Sequence, residues 1–298
     1  MKYNSLQVSI LIVSKNRVDE LNKTLNILYS KIIHKSVEVL VCLDGCEDNS
    51  KDLKSIFPWV LWFDNEFSLG ASKSRNILYQ KAKGDILIGL DDDAHPVDSN
   101  FIETTKKYFS SNPNLAVLAF NEIRGLFDND HKVKSKVDFS KSNYLVSEFV
   151  GCGFAILKTA YDKTNGFPKW MDIYGEESCV SIELLDLGYE LLWVNDIIIN
   201  HRVDMSQRKK AGRNYFRFKK QLLNSNNFFV VYYKYPLKAI FKCFLHNFLT
   251  YALTDKIYFR LFFQSLLEFF KKLPKIIKYR SPVKNQTIQQ KRSLKMQF

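Results

Sequence analysis

Three apolar runs constrain this chain most: Val8–Val13, Val37–Leu43 and Ile86–Leu90 are nearly continuous, and each stops at a polar turn. Strands apolar on both faces belong to sheets covered by helices on either side, which is the habit of parallel sheets. The intervening segments agree. Leu21, Leu25 and Leu28 recur at helical spacing, a helical segment follows near Asp52–Ile56, and Ala71–Ala82 ends at Lys83-Gly84, where glycine suits a helix C-cap. Val60–Phe63 adds a short strand. Phe101–Phe109 predicts a helix, Leu115–Ile123 a strand, Asn129–Ser142 a polar connector, Glu176–Leu187 a helix stopped by Gly188, and Leu191–Val194 a strand leading towards His201. The order predicts an α/β fold with a mainly parallel sheet flanked by helices.

In open α/β sheets ligands bind beyond the carboxyl ends of the strands. Asp44 and Asp91-Asp92-Asp93 both fall at such ends, so they are expected to share one crevice. Three adjacent carboxylates repel one another, and a divalent cation with hard oxygen ligands, Mg²⁺ or Mn²⁺, compensates them. A solvated acidic turn is the competing explanation for a lone triplet.

Four blocks in order then carry a specific likeness: Val8–Arg17; Val41–Asp48; Gly70-Ala71-Ser72-Lys73-Ser74-Arg75-Asn76 leading into Gly84–Ala94; and Gly175-Glu176-Glu177 with Leu184–Tyr189. Over residues 7–203 the chain resembles an inverting family 2 glycosyltransferase of the bacterial polysaccharide type, with the Rossmann-like GT-A fold. The resemblance implies transfer of a sugar from a nucleotide-diphosphate donor, a UDP- or dTDP-sugar, to a saccharide or lipid-linked saccharide. It implies that Asp44 contacts the donor nucleoside, with Asp48 either assisting or capping a helix. It places the D-x-D motif on Asp91 and Asp93, with Asp93 on the metal and Asp91 or Asp92 on the ribose side.

Arg75 then faces the donor, where a guanidinium steadies a phosphate or orients the aspartates, and Asn16 and Arg17 line the nucleotide pocket. His201 matches a histidine near the metal in some members, where an imidazole ligates Mn²⁺ or bonds phosphate. The acceptor hydroxyl needs a general base, which the family places in a Glu-Asp pair. Here the pair is Glu176-Glu177; Glu177 is favoured and Glu176 is the alternative. Trp170, Met171 and Tyr174, just upstream, either stack on an acceptor or pack.

The net charge of +13 is unevenly placed: residues 204–298 hold 21 Lys and Arg against three acids, while residues 1–203 hold 23 against 28. The predicted division is a catalytic domain over 1–203, with nucleotide-sugar binding in 1–95 and the acceptor part in 96–203, then a basic amphipathic helical region over 204–280 and a disordered tail over 281–298. Leu237, Ile240, Phe241, Phe244, Leu245, Phe248 and Leu249 recur at helical spacing beside Lys238 and Lys242, and 256–280 repeats the arrangement. Such helices suit an anionic membrane surface, expected through 234–280, or pack on the catalytic domain or another subunit, so an oligomer is possible.

No run of about 18 apolar residues predicts a spanning helix. Five cysteines, an odd number without C-x-x-C pairs, suggest reduced thiols, and with no signal-peptide block the expected place is the cytoplasm, at the inner face of the cell membrane. Two other classes fit less well. A sugar-nucleotide pyrophosphorylase needs a glycine-rich loop where Ser14-Lys15-Asn16-Arg17 stands, and the acidic front of the chain would repel nucleic acid.

Overall fold

The structure, a computed structural model, describes residues 6–32 and 36–297. The first half runs β1 (Val8–Ser14), α1 (Val18–Ile32), β2 (Val37–Asp44), α2 (Leu53–Ile56), β3 (Leu61–Asn65), α3 (Ala71–Lys81) and β4 (Ile86–Asp91). There follow β5 (Ala94–Pro96), α4 (Phe101–Ser111), β6 (Leu115–Arg124), α5 (Asp130–Lys134), β7 (Tyr144–Leu145), β8 (Gly153–Leu157), α6 (Lys158–Tyr161), α7 (Glu176–Asp186) and β9 (Glu190–His201). Five helices close the chain: α8 (Met205–Ala211), α9 (Tyr215–Tyr232), α10 (Leu237–Thr250), α11 (Lys256–Ile276) and α12 (Asn285–Ser293).

The strands form one mixed sheet in the order β3-β2-β1-β4-β8-β6-β9-β5, with β7 paired to β9. β3, β2, β1 and β4 are parallel; β8 runs against both β4 and β6, and β9 is parallel to β6. The carboxyl ends of β1, β2, β4, β6 and β9 therefore all reach one edge, and that edge carries the site. Side chains alternate across the sheet as the pleat requires. Ile10 and Ile12 face α1 through Leu21, Leu25 and Leu28, while Leu11 faces the opposite layer of Leu78, Val180 and Leu184 from α3 and α7.

The closing helices are joined to this domain by a shared core. Met171, Cys179 and Ile182 pack with Leu223, Phe228 and Val231 of α9, Phe269 and Ile276 of α11, and Val283. Met171 is thereby core, and Trp170 packs against the same cluster. The expected connector at 129–142 contains α5, whose Asn129 cap accepts from the Lys132 amide. All five cysteines are free, and among the described residues no helix is long and apolar enough to cross a membrane.

Residues 281–298 depart from the expected disorder; through 297 they are ordered, while Phe298 lies outside the described residues. Asp186, at the end of α7, starts α12 from outside: its Oδ1 accepts from the Lys284 amide at 2.8 Å and from Thr287 Oγ1 at 2.6 Å. The chain then returns to the sheet, with the Ser147 amide donating to Lys295 O at 2.8 Å and Gln297 bridging the Val150 amide and Phe120 O. Polar composition concealed this, because the partners are the distant Asp186 side chain and distant backbone groups that no local pattern announces.

Candidate functional site

Asp44, at the end of β2, is buried, and both its oxygens are taken by protein. Oδ1 accepts from Leu69 N, Asn65 Nδ2 and Ser74 Oγ, and Oδ2 from Ser68 Oγ and Gly70 N, all at 2.7–3.0 Å. Burial alone would raise this carboxyl, but the bonds, led by the Leu69 amide, outweigh it and hold it below its ordinary value. Asp44 thus ties down the 65–70 loop and the start of α3. Asp48 is a cap: its Oδ1 accepts from Ser50 N and its Oδ2 from Val18 N at the start of α1. Asn16 adopts φ 52°, and its Oδ1 receives the Glu47 amide.

The three aspartates past β4 diverge. Asp91 is partly exposed and accepts from Arg75 Nη2 at 2.8 Å. Asp92 turns inward to Ser14 Oγ at 2.7 Å, and burial pushes its carboxyl up to about 7 against the pull of Arg17. Asp93 is buried, yet His201 and Arg17 overcome the burial and hold it down at about 2. Its Oδ2 meets Arg17 Nη2 at 2.7 Å. Its Oδ1 lies 3.2 Å from His201 Nε2 as an ion-pair neighbour but outside hydrogen-bonding geometry, so this buried oxygen accepts no formed hydrogen bond.

Asp91, Asp93 and His201 each bring a ligand atom within 4.8 Å of the others. Two carboxylates and an imidazole around an unpartnered buried oxygen suit a divalent cation, and the nitrogen favours Mn²⁺ over Mg²⁺. Without an ion His201 is drawn towards the protonated form: burial opposes its charge, but Asp93 and Glu122 raise it to about 9.

Across the cleft, α7 begins with the Glu pair. Arg75, buried on α3 and lying 5.6 Å from the centroid of the Phe167 ring, donates from Nη1 to Glu177 Oε1 at 2.8 Å and to Glu176 Oε1 at 3.3 Å, while Nη2 reaches Asp91 and Gly151 O. Gly151 is needed here: a Cβ would sit 2.3 Å from Glu177 Oε1 and 2.7 Å from Arg75 Nη2. The two glutamates differ. Glu176 is buried with Oε2 unpartnered, and burial together with repulsion from Glu177 pushes it up to about 8. Glu177 is partly exposed; burial raises it as well, against the pull of Arg75.

Arg75, Asp91, Glu176, Glu177 and His201 line one cleft of about 440 Å³. Asn16, Arg17, Asp44, Asp92 and Asp93 lie at neighbouring strand ends outside that lining. A second hollow of about 460 Å³ shares Glu148, Tyr174, Ser178 and Met296 with it and extends towards α9 and α10. Tyr174 sits at φ 69°, with the Arg217 guanidinium 5.2 Å from its ring.

Sequence reasoning missed Glu122 and Arg124 at the end of β6, which line the cleft beside His201, and Met296 of the C-terminal return. It missed Arg202 as well, which is buried and bonded to Glu20, Thr24 and His95 beneath the aspartates. For Glu122 a signal existed: a carboxylate at the polar end of an otherwise apolar strand.

Known proteins agree with this architecture. A mannosyltransferase of Pyrobaculum calidifontis in complex with GDP-Man and Mn²⁺ superposes with a TM-score of 0.57 at 15% identity, covering 88% of this chain and 74% of that one. Residues 1–349 of S. aureus TarS in complex with UDP give 0.53 at 13%, over 73% and 65%, and GalNAc-T7 with UDP, GalNAc and Mn²⁺ gives 0.60 at 20%, over 79% and 50%. At these identities the likeness concerns the fold, which is GT-A. A relative in Haemophilus influenzae, itself an uncharacterised protein, is 32% identical over 178 residues, 55% of this chain and 95% of its own length. The model of glycosyl transferase family 2 matches residues 9–164, the stretch that supplies the Asp44 loop, Arg75 and the three aspartates, and the chain belongs to that family.

Proposed function

We propose that this glycosyltransferase moves a sugar from a nucleotide-diphosphate donor, a UDP- or dTDP-sugar, to a saccharide or lipid-linked saccharide in cell-surface polysaccharide synthesis, with inversion at the anomeric carbon. The observation that carries the reading is Arg75, which spans one cleft from Asp91 to Glu177 and so fixes the distance between a cation-binding edge and a carboxylate on the opposite wall. A bound Mn²⁺ or Mg²⁺, held by Asp91, Asp93 and His201, would neutralise charge on the departing diphosphate. Glu177 takes the proton of the acceptor hydroxyl as its oxygen attacks the anomeric carbon; Glu176, sealed beneath, has no open path to an acceptor. Attack from the face opposite the leaving group inverts the centre. Asp44 serves the nucleoside through the 65–70 loop it holds, and Asn16 and Arg17, past the end of β1, would line the nucleotide pocket beside it.

The basic helices support a place at the inner face of the membrane. Ile240, Phe244 and Phe248 of α10 pack towards α9 and α11, whereas Leu237, Phe241, Leu245 and Leu249 stay exposed, as do Phe259, Phe263, Leu267 and Phe270 of α11. Lys238, Lys242, Arg260 and Lys271 are exposed on the same two helices. Apolar stripes with neighbouring cations suit anionic lipid.

The test of the reaction is a screen of nucleotide sugars for Mn²⁺-dependent thermal stabilisation. A donor at 100 times its dissociation constant adds about 2.7 kcal/mol. If neither a UDP- nor a dTDP-sugar stabilised the chain with Mn²⁺ present, or only a GDP-sugar did, the donor assignment would fall.

A further inference from the structure

Glu122 has no role in the reaction as proposed, yet its surroundings are as defined as those of any residue in the cleft. It lies on β6, whose parallel register with β9 pairs Arg124 with His201 and Ile199 with Glu122. Glu122 and Arg124, two residues apart, share a face of the sheet. Arg124 grips the carboxylate as a fork, Nε to Oε1 and Nη2 to Oε2, each at 2.8 Å. From the other side Oε1 meets His201 Nδ1.

The two nitrogens of His201 are therefore committed in different directions, Nδ1 to Glu122 and Nε2 to within 3.2 Å of the unpartnered Asp93 Oδ1. A carboxylate only accepts, so its bond assigns the proton to Nδ1 and leaves Nε2 as the nitrogen able to offer a lone pair. We infer that Glu122 is a positioning residue for the cation site, holding His201 with Nε2 aimed between Asp93 and Asp91. Carboxylates behind metal-bound histidines act in this way generally, fixing tautomer and ring orientation. The inference rests on the cation reading given above.

One rival arrangement is present. Glu122, Cys152 and His201 also bring ligand atoms within 4.8 Å of one another. That set would need a Glu122 oxygen drawn from its bond to Arg124 and the buried Cys152 ionised, while burial pushes its thiol well above the ordinary value. The imidazole nitrogen on that side is Nδ1, already bonded. The ion belongs on the Nε2 side.

The experiment titrates the purified full chain with Mn²⁺ alone, following free Mn²⁺ by electron paramagnetic resonance, and repeats it with Mg²⁺ as competitor. Glu122→Ala should weaken Mn²⁺ binding about 10–100-fold. Glu122→Gln, which keeps an acceptor for Nδ1 without the charge, should recover part of that loss, and it carries the test should the alanine variant fail to fold. Mg²⁺ affinity should move little, because a hard cation depends less on the imidazole. A general loosening of the fold would weaken both ions alike. In a His201→Ala background, Glu122→Ala should cost nothing more, since the two residues act as one unit. Wild-type Mn²⁺ affinity in both Glu122 variants, additive losses in the double variant, or an equal loss in Cys152→Ser would each overturn the assignment. A wild-type chain that took up no Mn²⁺ would remove the cation site itself and this inference with it.

Discussion

Arg75 and Glu177 are joined by a 2.8 Å bond from Nη1 to Oε1, and the same guanidinium reaches Asp91 from its other nitrogen. A buried cation between two acidic groups sets the width of the cleft as a strut would. It also holds Glu177 with one oxygen fixed and the other free to face an acceptor. Glu176 has the opposite arrangement, because its free oxygen is sealed inside the protein.

The two glutamates should separate cleanly on mutation. Glu177→Gln is expected to lower kcat by about 10²–10⁴, the ordinary contribution of a general base. Mn²⁺-dependent stabilisation by the donor should persist. Glu176→Gln should leave kcat within a few-fold. The reverse order would make Glu176 the base. Because burial raises the pair, the base loses its charge at a pH above the ordinary carboxylate range of about 4.3. The rate should therefore fall with acidification at a pH where an exposed glutamate would still be ionised, and a profile flat down to pH 5 would contradict this.

The residues legible in the sequence were those at the ends of continuous apolar strands: Asp44, Asp91–Asp93 and His201 announce themselves because a buried strand gives way to charge. Arg75 and the Glu pair were visible through motif order. What could not be seen was direction. Nothing local says that the oxygens of Asp44 turn into its own loop, that Asp92 points at Ser14, or that Met171 enters a core with α9. The role of Glu122 was hidden for a different reason: it depends on β6 lying parallel beside β9, where Glu122 pairs with Ile199 and Arg124 with His201, far apart in the chain. Residues 284–297 were obscured most, because their order derives mainly from hydrogen bonds to Asp186, Ser147 and Val150, with Ile288 and Leu294 adding apolar contacts to the core.

That C-terminal return supplies the second prediction. Lys291 Nζ meets Glu148 at 3.0 Å, and Gln297 donates to Phe120 O while accepting from Val150 N. These bonds hold the 147–151 segment that brings Gly151 against Arg75 and Glu177. Ending the chain at Val283 should lower stability by about 2–4 kcal/mol, from several lost hydrogen bonds of about 0.5–1.5 kcal/mol each and from exposure of the core surface that Ile288 and Leu294 cover. At a temperature where the shortened chain is still folded, kcat should fall about 10–100-fold through loss of alignment. Donor-dependent stabilisation should remain. Full activity in the shortened chain would show that the return is a passive covering.

The third prediction concerns the exposed stripes of α10 and α11. Phe241 and Leu245 of α10, with Phe263 and Leu267 of α11, are exposed, and the packing at stake is the edge contact of the Phe263 ring with Phe248, Phe259 and Phe262. With vesicles containing anionic lipid the wild-type chain should float at low salt and float less as salt rises, because each nearby cation contributes about 1 kcal/mol of screened attraction. A chain carrying Phe241→Glu, Leu245→Glu, Phe263→Glu and Leu267→Glu should stay at the bottom of the gradient with its thermal midpoint nearly unchanged, because the buried faces of α10 and α11 are untouched. Neutral vesicles separate the two contributions: the basic residues predict weak flotation there, whereas purely apolar insertion predicts flotation at every salt concentration. Equal flotation of the wild-type and four-glutamate chains on anionic vesicles would mean that these stripes do not meet lipid.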